Sequence, residues 1–480
     1  MNAPVVRISS IEIKNIKSVE YGKIDLSKKT QFSSSILGLY GQNGSGKTAL
    51  IDSLKLLRYT ILGVSIPKEF CDLILKSAQK ASFSFEFIVK TKSNEKYNVF
   101  YSFDLIANIL SSIDSLQGRE VQQKQSEISN ECLSYKLQES SDLSKPNNSK
   151  KRTIHITDDT SVLAPKVFSK EVIGKDSTLK ANLLAQRQIA KKTSTSFLFC
   201  EEFSNILKSL INEKENELTR DIYAIISALK FFAVAKFRVI DTTNFGTIAL
   251  NLLPVNFNNV QTEDAEISGS ILVNIQHSSD VASVVSRKSL ELLKKSLQKD
   301  NLVLSKLIPG LEIEVKELGI ILQKDSTEGI NIDLLAKRGN ETIPLRHESE
   351  GVKKIVSILH LLICVYNDPS FTVAIDELDS GIFEFLLGEL LEIIAENGNG
   401  QLIFTSHNLR PLETIDDKFI AFTTTNPKNR YIRFSGLQKN NSLRSRYFRD
   451  LQLGGQEEEL YAQTDKSEID HAFFGAGLNE

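Results

Sequence analysis

The octapeptide Gly41-Gln42-Asn43-Gly44-Ser45-Gly46-Lys47-Thr48 constrains this chain more than any other feature. It stands between an apolar run, Ile36–Tyr40, and a stretch from Thr48 to Leu62 with Leu50, Leu54, Leu57 and Ile61 at helical spacing. Strand, glycine-rich loop and helix, in that order, is the context in which GxxxxGK[ST] has physical meaning. The glycines let the backbone curl until successive N–H groups converge on phosphate oxygens, and the helix N-terminus adds partial positive charge. The spacing predicts a nucleotide site lined by Asn43, Gly44, Ser45 and Gly46. Lys47 is expected to reach the β- and γ-phosphates, and Thr48 to offer its hydroxyl to Mg2+. The competing reading, a flexible Gly/Ser turn, leaves both flanking elements unexplained.

Further along, the nearly all-apolar run Phe371–Ile375 ends on Asp376-Glu377. A carboxylate there can hold a metal ion and its neighbour can polarise an attacking water, so Asp376 is assigned to the metal and Glu377 to the general base. A helix is expected at Phe383–Glu396, followed by a second apolar strand, Gln401–Thr405. Strand–helix–strand with continuous apolar strands indicates an α/β chain whose parallel sheet is covered on both faces. Thr405-Ser406-His407-Asn408 follows, and His407 can hydrogen-bond a γ-phosphate or the attacking water. Upstream, Ser349-Glu350-Gly351 opens a helix running to about Tyr366. Ser349 suits an N-cap, and the same hydroxyl, glycine N–H and helix terminus can receive a phosphate. Leu378-Asp379-Ser380-Gly381 places Asp379 to touch a partner subunit. Singly, these are a solvated turn, a helix cap and an incidental histidine; together and in order they argue for chemistry.

The rest of the chain is less specific. Ile11, Ile13 and Ile16, then Val19, Ile24 and Leu26, read as two strands with a turn at Tyr21-Gly22. Phe83, Phe85 and Phe87, then Tyr97, Val99 and Tyr101, alternate as a hairpin turning at Ser93-Asn94-Glu95, with one face buried. Residues 106–195, rich in Ser, Gln, Asn and Lys, read as loops, short strands and an exposed insertion, with a basic turn at Lys145–Arg152. Ser196–Phe232 and Ser283–Ile308 read as helices without the sustained heptads of a coiled-coil arm. Strands are expected at Leu311–Leu318 and near Ile320–Leu335. The division this suggests is 1–105, 106–309, 310–425 and a basic tail, 426–480.

A formal net charge of −2 supplies no global field for nucleic acid, so any such contact needs a local patch. Lys428, Arg430, Arg433, Lys439, Arg444, Arg446 and Arg449, mixed with Tyr431, Phe434, Tyr447 and Phe448, suit either a nucleic-acid surface or a salt-bridged docking strand and helix. Arg187, Lys191 and Lys192 read as surface charge. The cysteines lack metal-ligand spacing and read as buried reduced thiols. With no long apolar run and no basic-then-apolar leader, the cytoplasm and no membrane are expected.

The ordered set resembles the ABC ATPase superfamily. Gly41–Thr48 looks like its Walker A loop, Ser349–Gly351 a degenerate signature, Phe371–Glu377 Walker B, Leu378–Gly381 the D-loop and His407 the switch histidine. Within it the chain is most similar to stand-alone bacterial "AAA family ATPases", relatives of RecF and SMC heads, of the ATPase half of OLD nucleases, and of RloA/AbiL and Septu-type defence ATPases. Ile11–Ser18 and Thr405–Arg410 add to that likeness. The resemblance implies a two-lobed ABC head, ATP with Mg2+ as ligand, and a homodimer or larger even-numbered assembly. Ser349, Gly351 and Asp379 of one copy then complete the nucleotide site of the other. It also implies a sensor or regulator in bacterial anti-phage defence beside a separately encoded nuclease. The alternatives are a RecF/SMC-like repair ATPase acting on DNA and a non-hydrolysing scaffold held by ATP. Glu350 and Val352 depart from the transporter signature, Gln138 and Gln188 are the options for a Q-loop, and Tyr40 is the candidate for stacking adenine.

Overall fold

The computed structural model describes residues 3–26, 35–113, 120–138, 152–155, 174, 176–213, 216–241, 252–261, 266–274, 283–322, 328–434, 443–453 and 457–477. The first elements are β1 (Val5–Ile16), β2 (Val19–Asp25), β3 (Ser35–Tyr40), α1 (Lys47–Leu62), β4 (Lys80–Lys90), β5 (Lys96–Ile113), β6 (Glu120–Leu137) and β7 (Arg152–His155). The middle contributes α2 (Ser177–Lys192), α3 (Glu201–Glu213), α4 (Glu217–Phe231), β8 (Phe237–Ile240), β9 (Leu252–Gln261), β10 (Glu266–Asn274) and β11 (Ser283–Val285). Then come α5 (Arg287–Leu307), β12 (Leu311–Leu322), β13 (Glu328–Arg338), β14 (Glu341–Pro344), α6 (Glu350–Asn367), β15 (Thr372–Ile375) and α7 (Glu384–Asn397). The last are β16 (Gln401–Thr405), β17 (Ile420–Thr423), β18 (Tyr431–Ile432), α8 (Leu443–Leu453) and α9 (Lys466–Gly477).

Two six-stranded sheets carry the architecture. One is antiparallel, in the order β2-β1-β4-β5-β6-β7; the other runs β18-β17-β3-β16-β15-β8, parallel except for β18. Every residue of β3, β15, β16 and β17 is buried, as expected of parallel strands covered on both faces. Their side chains alternate between two cores. Leu37, Leu39, Ala374, Ile403 and Ala421 join α1, α4 and the antiparallel sheet. Ile36, Val373, Ile375, Leu402, Phe404 and Phe422 join α5, α6 and α7 on the opposite face. This is the two-residue period of a strand expressed as a two-sided layer.

Polar stitches fix one sheet on the other. Gln401, wholly buried, accepts from the Ile8 amide at 2.7 Å and donates to the Ile8 carbonyl at 2.8 Å. Arg7 donates to the carbonyls of Pro369 and Asn399 at 2.8 and 2.6 Å. Buried donors and acceptors satisfied this way tolerate little sliding.

Several expectations need correction. The first turn lies at Lys17-Ser18, and Tyr21-Gly22 sits inside β2, Gly22 opposite Ile13. The described residues after 105 are not mainly loops, because β5 and β6 are 18-residue strands paired with each other. Residues 106–309 were expected to be inserted material, yet β6 and β7 extend the antiparallel sheet and β8 pairs in parallel with β15. The helix expected at 196–232 is two, α3 and α4, the second capped by Asn216, and the one expected from Ser283 begins at Arg287 after β11. Arg187 is buried and Lys191 pairs with Glu127 at 3.0 Å, so they are not free surface charge. Of the basic turn Lys145–Arg152, residues 145–151 lie outside the described residues, as does Lys439. Of the free cysteines Cys71 is buried and the other three are half-buried. No helix among the described residues is long and apolar enough to cross a membrane.

Helices α5 and α6 are joined by a buried ion pair. His360 Nδ1 lies 2.9 Å from Asp300 Oδ1 and 3.2 Å from Ser296 Oγ. Burial pulls the imidazolium down, but the hydrogen bond to Asp300 and the nearby Cys364 outweigh it and hold its pKa at about 9. The same burial raises the Asp300 carboxyl, which subtracts from the pair's net benefit. A histidine that binds its proton more tightly when folded stabilises fully below its ordinary 6.5 and loses that contribution as pH rises through 9. Thermal melts should therefore show a loss on the order of 2 kcal/mol between neutral pH and pH 9.5. The Asp300→Asn variant should be flat across that window; a parent chain equally flat would sink the assignment.

Candidate active site

Strands β3, β16 and β15 are consecutive neighbours, and each delivers a motif at its C-terminal end. β3 leads into Gly41–Thr48, β15 into Asp376-Glu377, and β16 into Ser406-His407. In open α/β sheets that edge is where ligands bind, because loops diverge there and helix N-termini point toward it. β17, on the other side of β3, brings Thr423 to the same edge.

The loop's shape comes from its glycines and from what crowds them. Gly44 and Gly46 have φ of +75° and +93°, a region open to glycine at no steric cost. At Gly41 a Cβ would fall 1.7 Å from Thr423 Oγ1. That hydroxyl also meets Ser45 Oγ at 2.5 Å, and the Tyr431 hydroxyl donates to the Gly46 carbonyl at 2.8 Å. Lys47, buried, donates to the carbonyls of Gly41 and Gln42 at 2.8 and 2.9 Å, so its ammonium lies across the loop. Burial lowers its pKa, opposed by the charges of Asp376, Glu377 and Asp379. Among the described residues no backbone carbonyl accepts from the amides of Gly44, Gly46 or Lys47, which leaves an array of donors for an anion.

The two adjacent acids diverge. Asp376 is buried; Thr405 Oγ1 donates to its Oδ1 at 2.5 Å, while its Oδ2 is buried with no hydrogen-bond partner among the described residues. Glu377 is exposed and has φ of +49°, rare for a residue with a side chain. Two bonds fix that conformation. The Glu377 amide donates to Thr405 Oγ1 at 2.7 Å, and Lys354 Nζ donates to the Glu377 carbonyl at 2.6 Å. Lys354 is buried on α6, and burial, against the pull of Asp379, Glu377 and Asp376, brings its pKa down to about 8.

Asp379 Oδ2 accepts from the amides of His407 and Asn408 at 3.0 and 2.9 Å, which ties the loop after β15 to the loop after β16. The His407 side chain is exposed beside it. Ser349 caps α6, accepting from the Val352 amide at 3.3 Å, and is exposed. Gly351 is pressed against the Leu378–Gly381 turn, where a Cβ would stand 2.1 Å from the Gly381 carbonyl oxygen. No hydrogen bond among the described residues joins Ser349 or Gly351 to the Gly41–Thr48 loop of the same chain.

The structure thus gathers Asn43–Thr48, Asp376, Glu377, Asp379 and His407 at one edge, with Ser349 and Gly351 presented on a neighbouring surface. Sequence reasoning missed Thr405, Thr423, Lys354 and Asp241. Buried Asp241 immediately follows β8, pairs with Lys55, and stands next in the row of strand ends after Asp376, whose amide donates to the Ile240 carbonyl at 2.9 Å. A polar residue closing an apolar strand was the available signal for Thr405. Neither Q-loop option lies there: Gln138 bonds Asn98 beyond the end of β6 and Gln188 is exposed on α2. Tyr40 is 1% exposed and packed on Phe404 and Phe422, so it cannot stack a base.

The basic and aromatic residues after 425 are largely consumed in docking. Arg430 donates to the carbonyls of Thr424 and Ser18, and Arg433 to that of Asp25 at 2.9 Å. Arg444 pairs with Glu413 at 2.7 Å. Phe434 and Tyr447 stack on Phe422. Residues 457–462, expected to be loose tail, are anchored too. Leu460 is buried, Glu458 accepts from Asn426 and Asn429, and the Ala462 amide donates to Gln42 Oε1 at 3.0 Å.

Residues 257–413 match the family described as "AAA domain, putative AbiEii toxin, Type IV TA system". No curated protein matches the chain. Among solved structures it is similar to an SMC head bound to the C-winged helix domain of ScpA, with TM-score 0.43 and 14% identity over 89% of this chain and 98% of that one. The SMC head domain from Thermotoga maritima gives 0.36 and 13% over 90% and 100%. The recombination mediator protein RecF gives 0.33 and 11% over 90% and 99%.

Proposed function

We propose that this chain, an α/β protein with an AAA-type segment at 257–413, binds ATP at Gly41–Thr48 and hydrolyses it within a two-fold dimer. The observation that carries this reading is the meeting of the glycine loop, Asp376-Glu377 and His407 at the ends of three adjacent parallel strands. The open amides of Gly44, Gly46 and Lys47 receive phosphate oxygens. Lys47 exchanges two neutral carbonyl acceptors for anionic ones, a stronger kind of hydrogen bond. Thr48 and Asp376 would hold magnesium, which would neutralise phosphate charge; the partnerless buried Asp376 Oδ2 fits a cation. Glu377 accepts the proton of the attacking water, and His407 donates toward the γ-phosphate.

The dimer follows from what a single copy leaves undone. Ser349 and the α6 N-terminus are exposed and make no bond to their own phosphate loop. In a two-fold pair they cap the partner's terminal phosphate, so ATP holds the copies together and hydrolysis releases them. The family description names a toxin–antitoxin system, which favours a bacterial defence role; a sensor or regulator beside a separate effector nuclease is the form of that role the motif resemblance suggests.

Lys47→Ala tests the site. Losing the charge-assisted bonds should weaken ATP binding by ~2–3 kcal/mol, on the order of 10²-fold. Calorimetric titration reads the affinity, and light scattering with and without ATP reads the dimer. An alanine variant that binds and hydrolyses ATP like the parent would remove the nucleotide from this loop.

A further inference from the structure

We infer that Lys354 is a positioning residue that couples the helix offered to the partner's nucleotide to the carboxylate acting on the chain's own. The inference deepens the dimer reading above and rests on it. Four observations carry it.

The first is where Lys354 lies. It follows Ser349 and Gly351 in the opening turns of α6, so any movement of that terminus carries it along. The second is its environment. It is only 5% exposed, and a buried ammonium is costly unless it is hydrogen-bonded and faces opposite charge. Asp379, Glu377 and Asp376 supply that charge. The third is its target. Nζ donates at 2.6 Å to the main-chain carbonyl of Glu377, leaving that residue's carboxylate free to meet water. The fourth is the backbone it holds. Glu377 has φ of +49°, a conformation strained in a residue with a Cβ that persists only when its surroundings enforce it. Thr405 Oγ1 enforces it on the amide side and Lys354 on the carbonyl side.

These contacts run in series. Ser349 faces outward, Gly351 rests on Gly381, Lys354 grips Glu377, and Asp379 binds the amides of His407 and Asn408. When the α6 terminus seats on the partner's phosphate, a shift of a fraction of an ångström reaches Glu377 through the lysine. Hydrolysis in one site thereby depends on occupancy of the other, and a lone copy with its own ATP stays slow.

Two substitutions in the full chain separate this role from simple packing. Lys354→Met keeps the apolar stem but removes the donor; Lys354→Arg keeps charge and donor. Steady-state hydrolysis, affinity for a non-hydrolysable ATP analogue, and ATP-dependent dimerisation are measured for each. Lys354→Met should lose turnover ~10²-fold, the cost of a misplaced reacting group, with analogue affinity within about threefold of the parent and the ATP-held dimer intact. It should also lose the sigmoidal dependence of rate on ATP. Lys354→Arg should recover at least about tenfold of the lost rate. If Lys354→Met does not fold, Lys354→Leu, which likewise has no donor, is expected to show the same split. Unchanged turnover in Lys354→Met would overturn the inference, as would turnover, affinity and melting temperature falling together without recovery by arginine. A parent chain that binds ATP but never hydrolyses it would overturn the proposed function itself, before any variant is made.

Discussion

Glu377→Gln should slow ATP turnover by roughly 10²–10³-fold while leaving nucleotide binding intact, the loss typical of a removed general base. The substitution preserves shape and the main-chain bonds to Thr405 and Lys354, so the left-handed turn survives. Only proton affinity and negative charge are lost. A neutral amide cannot take the proton of an attacking water, and it no longer repels the terminal phosphate. ATP should therefore stay bound and hold the pair of copies closed. Light scattering should show a dimer that persists with ATP in Glu377→Gln but is transient in the parent. Unchanged turnover would move the base elsewhere, with His407 the next residue to examine.

Gly351→Ala should do comparable damage from outside the phosphate loop. Its Cβ would lie 2.1 Å from a backbone oxygen, that of Gly381, and Gly381 sits at φ +77°. Neither side is a flexible side chain that can swing away, so the start of α6 must move. Overpacking of this kind costs about 1–3 kcal/mol. A displacement near 1 Å at a reacting centre can cost ~10²-fold in rate. Turnover should fall by about that factor and ATP-dependent dimerisation should weaken, while nucleotide affinity of the isolated copy stays close to the parent's. Ser349→Ala, which removes one hydroxyl without moving the helix, should cost less. Gly351→Ala with normal kinetics would show that the start of α6 and the Leu378–Gly381 turn need not touch.

How legible the molecule was depends on which sheet is considered. β15 and β16 were bounded to within a residue, because strands buried on both faces appear as uninterrupted apolar text. The glycine loop and acid pair were equally plain. The antiparallel side misled, for a physical reason. β6 is rich in Ser, Gln and Asn, and several of its buried positions are polar: Ser126, Ser129, Glu131 and Ser134 all point into the protein. A strand whose inward side chains are polar shows no hydrophobic alternation. Gly22 was taken for a turn because glycines usually signal one; here it makes room for Tyr431, whose ring carbon would stand 2.5 Å from an added Cβ. Lys354, Asp241, Thr405 and Thr423 were hidden likewise: each takes its meaning from a neighbour distant in sequence.

The place of β8 has a practical consequence. Among the described residues Phe237–Ile240 forms the outer edge of the parallel sheet, its four residues hydrogen-bonded in register with Thr372–Ile375, and the Ile240 carbonyl receives the Asp376 amide. Excising residues 106–309 to obtain a smaller protein, or grafting that block onto a relative, would strip a support from beside Asp376. The workable cut points are narrower, and a chimera must leave Phe237–Asp241 with the body that carries Thr372–Glu377.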